Sequence, residues 1–170
     1  DESGESPFFL WVGFHDAHRP YTAGAVDPGH DPAKVIVPPY LVDTPETRAD
    51  LALYYDEVSR LDGVIGDYIA TLESRKLRAN TLIVFISDNG MPFPRAKGTV
   101  YDSGISTPLI ASWPGKIKNN TTYSGLTSII DLAPTLLDAA GLSTEGRGYH
   151  GKSVLKLFMG EEMPERKYAF

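Results

Sequence analysis

Three short apolar runs and one long amphipathic stretch organise this chain. Residues 8–14 (FFLWVGF), 81–87 (TLIVFIS) and 109–113 (LIASW) are continuous apolar segments rich in β-branched and aromatic residues. Runs of that length without alternation predict strands of the buried type. Between the first two the period changes. Leu51, Tyr54, Tyr55, Val58, Leu61, Ile65, Ile69 and Leu72 recur at steps of three and four, which predicts one apolar face of a long helix. Thr44 reads as its N-cap and Pro45 as its first helical residue, positions those residue types favour. Gly63 and Gly66 weaken its middle. A second helix is predicted from Asp131 to Ala140, stopped by Gly141, and a last short one within 151–159. Residues 21–45 and 91–107 read as loops, the first being long and rich in Gly, Pro and Asp. Loops of that length are uncommon and usually functional. The order strand, long helix, strand, strand, helix predicts an α/β domain with a largely parallel sheet. Three strands are few against a usual sheet of about five or six, so the sheet is small or part of a larger one.

Composition narrows the function classes. The 170 residues suffice for one domain with its own core. A net charge of −6 disfavours nucleic acid as a partner, because phosphate binding wants a basic face. No apolar run approaches the roughly 20 residues that cross a bilayer, so no membrane partner is expected. Zero cysteines exclude disulfides, thiolate metal sites and a cysteine nucleophile within the chain. The chain opens Asp1-Glu2-Ser3-Gly4 without a starting Met or a signal peptide, and targeting information is expected to have been cut away.

In open α/β sheets, ligands gather beyond the carboxyl ends of the strands. His15, Asp16, His18 and Arg19 follow the first apolar run, and Asp88, Asn89, Arg95 and Lys97 follow the second. If those strands are parallel neighbours, both clusters face one crevice. Asp88 and Asn89 offer hard oxygens suited to Ca²⁺ or Mg²⁺, though taken alone Asn89-Gly90 reads more readily as a tight turn with positive φ. His18 suits proton transfer or anion contact, against the alternative of a surface histidine in a turn. Lys97 suits an oxyanion as a compact point charge, against the alternative of an ordinary exposed lysine. His15 and His150 have weaker cases, and His30 is expected in solvent. No phosphate-binding P-loop or dinucleotide fingerprint is present. Tyr54, Tyr55 and Tyr68 read as core and rim, and the acidic residues of the long helix as a solvated face. Asn119-Asn120-Thr121-Thr122 holds two overlapping glycosylation sequons.

These segments together resemble the sulfatase family. The strand 8–14 ending in His15-Asp16-Ala17-His18-Arg19-Pro20, the helix segment 54–66, the metal-strand segment 81–90, the lysine loop 97–104 with Pro108, and 131–137 occur in the family's order. The similarity runs to about Leu155, and the chain is expected to be the central to C-terminal part of a sulfatase catalytic domain. Phe14-His15-Asp16-Ala17-His18-Arg19 and Ser87-Asp88-Asn89-Gly90-Met91-Pro92-Phe93-Pro94 resemble the heparan N-sulfatase subgroup. The resemblance implies an alkaline-phosphatase-like fold. It implies a hydrolase acting on sulfated glycans, through N-sulfate removal from glucosamine in heparan sulfate degradation. It also implies that Asp88 and Asn89 ligate Ca²⁺ (or Mg²⁺), that His18 contacts sulfate or leaving group, and that Lys97 bridges sulfate and nucleophile. A periplasmic, secreted or lysosomal setting is expected on the same ground. The alternatives are an O-sulfatase, a phosphate or phosphonate ester hydrolase of the same superfamily, and a non-catalytic glycan-binding descendant. The family's formylglycine segment, Cys-x-Pro-x-Arg, is absent from these residues, as are its N-terminal Asp pair and its middle Lys and His. All are expected to precede Asp1. Where many members carry an Arg after the glycine equivalent to Gly104, this chain reads Ile105-Ser106-Thr107.

Overall fold

The computed structural model describes residues 6–169. Its dominant element is α1, Pro45–Ser74, a helix of 30 residues and roughly 45 Å at 1.5 Å per residue. It starts where the sequence predicts. Thr44 is extended and its Oγ1 accepts the Thr47 amide at 3.2 Å, with Pro45 following. Strands β1, Ile83–Ile86, and β2, Leu109–Ser112, form one ladder. Between them lies the single turn α2, Asp102–Ile105, and after them come α3, Leu132–Ala139, and the short α4, Leu155–Phe158. Helix α3 ends as Gly141 predicts. Gly141 sits at φ +72, its amide bonds the Asp138 carbonyl at 2.9 Å, and the Leu142 amide reaches Leu137 at 2.9 Å. That pairing is a Schellman cap, which needs a left-handed residue.

Two strand expectations are corrected. The sheet is antiparallel, not parallel: β1 and β2 pair with Ile83 opposite Ser112 and Ile86 opposite Leu109. The α2 turn and flanking loops reverse the chain between them without a crossover helix, which is what a parallel pair needs. Residues 8–14 form no strand. Phe9, Leu10 and Trp11 stand 72, 63 and 68 % exposed. A strand exists only where its backbone groups find a partner, and among the described residues no strand pairs with this segment. β1 and β2 are half-buried rather than buried, since each has one neighbour and one open edge.

The core lies where the long loop folds onto α1. Val35, Leu51, Ala52 and Phe93 are buried together, with Tyr21, Val37, Leu41, Tyr54, Tyr55 and Met91 packed against them. Tyr54 and Tyr55 are therefore core and rim, as predicted, and Tyr68 is exposed. Glu46, Asp62, Asp67 and Glu73 of α1 are exposed, as expected, and two acidic residues of the helix depart from that solvated face. Asp56 and Glu57 are 5 and 2 % exposed. Asp56 Oδ1 accepts from the His30 amide at 2.8 Å and lies 2.7 Å from His30 Nδ1. Glu57 accepts the Thr22 amide through Oε1 and the Arg60 guanidinium through Oε2, each at 2.6 Å. Buried carboxylates must be paired, and these two fasten the loop to the helix. His30 keeps an exposed edge, as expected, while anchored to Asp56.

Candidate active site

The His15 to Arg19 turn is closed by the His18 amide bonding the His15 carbonyl at 2.8 Å. The two imidazoles lie 5.0 Å apart. His18 Nδ1 is 2.6 Å from the Arg19 carbonyl oxygen. A carbonyl only accepts, so Nδ1 carries the proton there and Nε2 is left to take or give one. His15 and His18 are exposed and Asp16 is half-buried.

Arg19 joins this turn to two other elements. Its Nη1 donates to Asp50 Oδ1 at 2.8 Å and its Nη2 donates to Asp50 Oδ2, a fork on the first part of α1. Its Nε donates to the Pro92 carbonyl at 3.0 Å. The guanidinium also lies over the rings of Tyr21 and Phe93, at 4.6 and 4.8 Å. The Asp50 hydrogen bonds hold its pKa above the ordinary arginine value. Burial pushes the Tyr21 phenol up to about 12, against the pull of Arg19. Asp16 is held as well: Arg60 donates to its Oδ1 at 2.5 Å while bonding Glu57. Sequence reading singled out Arg19 but not Asp50, Glu57 or Arg60. Only an acid or base three residues from its partner in the helix, as in Glu57 and Arg60, left a signal.

The second cluster begins just beyond β1. Asp88 is exposed and Asn89 half-buried, and Asn89 Nδ2 donates to Asp88 Oδ1 at 2.5 Å. The tight-turn reading with positive φ does not hold, because neither Asn89 nor Gly90 has positive φ. Gly90 is required for close approach instead. A Cβ there would lie 1.8 Å from the Ser103 carbonyl oxygen, and the Gly90 amide bonds the Gly104 carbonyl at 2.9 Å. Two adjacent hard-oxygen side chains at the end of a strand suit a Ca²⁺ or Mg²⁺ ion but fill a small part of its shell of six or more. Among the described residues no group of three or more His, Asp or Glu is placed to hold a metal.

Loop 91–99 packs through Phe93 and Ala96, which are 6 and 0 % exposed. The Lys97 amide returns to the Met91 carbonyl at 3.1 Å, and the Lys97 side chain is exposed. The structure thus brings the His18 turn and the lysine loop onto one frame through Arg19 and Pro92. Among the described residues, no hydrogen bond or ion pair joins the His18, Asp88 and Lys97 side chains. His150 is exposed and apart from this frame, and both sequon asparagines, Asn119 and Asn120, are exposed.

Residues 1–142 match the family model described as Sulfatase. The chain belongs to the sulfatase family. Human N-sulphoglucosamine sulphohydrolase is 34 % identical over 90 % of this sulfatase chain and 35 % of its own length. The ulvan-active sulfatase of Formosa agariphila is 39 % identical over 64 % of the chain and 18 % of its own. This sulfatase chain therefore spans about a third or less of the curated relatives it matches. Two solved structures superpose well. A phosphonate monoester hydrolase from Silicibacter pomeroyi gives a TM-score of 0.63 at 31 % identity, covering 81 % of this chain and 28 % of that one. BT4656 in complex with its substrate D-glucosamine-2-N,6-O-disulfate gives 0.64 at 27 %, covering 76 % and 28 %. The alkaline-phosphatase-like α/β assignment holds on these neighbours, with a two-stranded sheet in the described residues. No helix among the described residues is long and apolar enough to cross a membrane.

Proposed function

We propose that the protein containing this chain is a hydrolase that removes sulfate from sulfated glycans, with the N-sulfate of glucosamine as its substrate group. The observation that carries this reading is the Arg19 clamp. One guanidinium ties the histidine turn to α1 through Asp50 and to the lysine loop through the Pro92 carbonyl. The likeness to N-sulphoglucosamine sulphohydrolase and to BT4656 with a disulfated glucosamine supports the substrate class.

In this reading each residue has a chemical task. Cleavage of an N–S bond needs a proton on the departing nitrogen, and protonated His18 supplies it from Nε2 while Nδ1 stays bonded to the Arg19 carbonyl. Lys97, on an exposed tip whose base is fixed by Ala96 and Phe93, offsets charge developing on the sulfuryl oxygens. Asp88 and Asn89 would hold part of a Ca²⁺ shell, and a bound ion would supply polarisation of those oxygens. The nucleophile belongs to another part of the protein.

Full-length enzyme assayed with N-sulfoglucosamine and glucosamine 6-O-sulfate side by side should show the greater kcat/KM on the N-sulfate. Greater kcat/KM on the O-sulfate overturns the N-sulfate reading and keeps the sulfatase one. A phosphonate monoester belongs in the same assay, because the Silicibacter pomeroyi neighbour favours that second reading. Turnover of the phosphonate alone would replace sulfate by phosphonate.

A further inference from the structure

The loop that presents Lys97 also carries a cation that this mechanism does not use. Arg95 sits at φ +61, a left-handed conformation uncommon outside glycine and costly to hold. One hydroxyl holds it from behind: Ser103 Oγ donates to its carbonyl, while Thr99 Oγ1, 3.2 Å from the same oxygen, donates to the nearer Ala96 carbonyl at 2.8 Å. The backbone is thus fixed while the side chain stays outside. The guanidinium lies 4.7 Å from the Tyr101 ring centroid. Among the described residues it meets no carboxylate.

Arg95 and Tyr101 line an open cleft of about 280 Å³ with Tyr40, Asp102 and Ser103. Tyr40 arrives from the loop before α1, so two separate segments build the cleft. Tyr101 is 54 % exposed. Its contents match one chemistry. Tyrosines give flat apolar bodies with polar tips. The Asp102 carboxylate accepts hydroxyl hydrogens. The guanidinium presents a planar fork to sulfate or carboxylate.

We infer that this cleft is a saccharide subsite, holding an anionic sugar next to the one whose sulfate reaches Lys97. Arg95 takes that sugar's carboxylate or sulfate, and Tyr40 and Tyr101 flank its ring. The assignment rests on the sulfated-glycan reading above and makes Arg95 a specificity residue for chain length.

The test uses full-length enzyme and two substrates, N-sulfoglucosamine and a disaccharide in which a uronic acid is linked to N-sulfoglucosamine. In Arg95→Ala the ratio of kcat/KM for the disaccharide to that for the monosaccharide should fall about tenfold, the scale of one charge-assisted hydrogen bond. Arg95→Lys should recover part of the ratio through its charge. An unchanged ratio overturns the subsite, including the case in which both substrates lose activity equally. If wild-type enzyme hydrolyses neither substrate, the N-sulfate reading fails separately. Calorimetric titration with the disaccharide then decides the subsite: weaker binding to Arg95→Ala sustains it, and equal or no binding overturns it.

Discussion

At the scale of single residues, the site depends on groups whose burial and partners differ sharply. His18 and Lys97 are exposed and contribute little to the fold, so their replacement tests chemistry with small risk to folding. In the full-length protein, His18→Ala and Lys97→Ala should each lower turnover by about a hundredfold, as loss of an oxyanion partner does, with thermal stability unchanged by calorimetry. Wild-type rates in both would remove them from the mechanism. Arg19 is different, since it binds Asp50, Pro92 and two rings at once. A lysine keeps the charge but cannot reproduce the planar fork. Arg19→Lys should therefore lower kcat by about tenfold or more through misplacement of the turn, while KM changes less. Steady-state kinetics on the full-length enzyme check that split.

At the scale of elements, buried carboxylates decide which segments stay docked. Asp131, 1 % exposed, begins α3. It accepts the Ser128 and Lys152 amides at 2.9 Å and the Arg166 guanidinium at 2.7 Å. Burial pushes its pKa up, but Arg166 and the two amides outweigh this and hold it below the ordinary value. Glu57 follows the same balance, with burial opposed by Arg60 and the Thr22 amide. Both native pKa values are lowered, so protons bind the unfolded chain first. Their stabilisation is complete above the unfolded carboxylate range of about pH 4. It is lost as pH falls through the native values. Thermal melts of this chain should hold from pH 7 to about 5 and decline steeply below about 4. Asp131→Asn should start lower, by about 2 kcal/mol, and decline less. A wild-type melting temperature that stays flat down to pH 3 would contradict the docking role of these carboxylates.

At the scale of the whole molecule, the apolar run 8–14 and the partial metal site share a feature: each presents groups that the described residues do not complete. Phe9, Leu10 and Trp11 lie open, a patch of the kind that marks contact with further protein. Asp88 and Asn89 supply two side chains toward a shell of six or more oxygens. Calorimetric titration of the 170-residue chain with Ca²⁺ should give weak binding, with a Kd of about a millimolar. Submicromolar affinity would show that a complete site exists within these residues.

Sequence alone determined the local features, because their causes lie within a few residues. Thr44-Pro45 starts α1 and Gly141 stops α3, since a cap and a left-handed residue act over one turn. The motif order from His15 to Leu137 gave the family for the same reason: each motif is a contiguous string. Tertiary structure decided what depends on partners distant in the chain. The direction of β2 against β1, the absence of a strand at 8–14 and the burial of Asp56 and Glu57 all turn on such partners. The fork between Arg19 and Asp50 spans 31 positions, and its bond to Pro92 spans 73. No periodicity encodes those separations, because hydrogen bonding and burial are satisfied in space rather than along the chain.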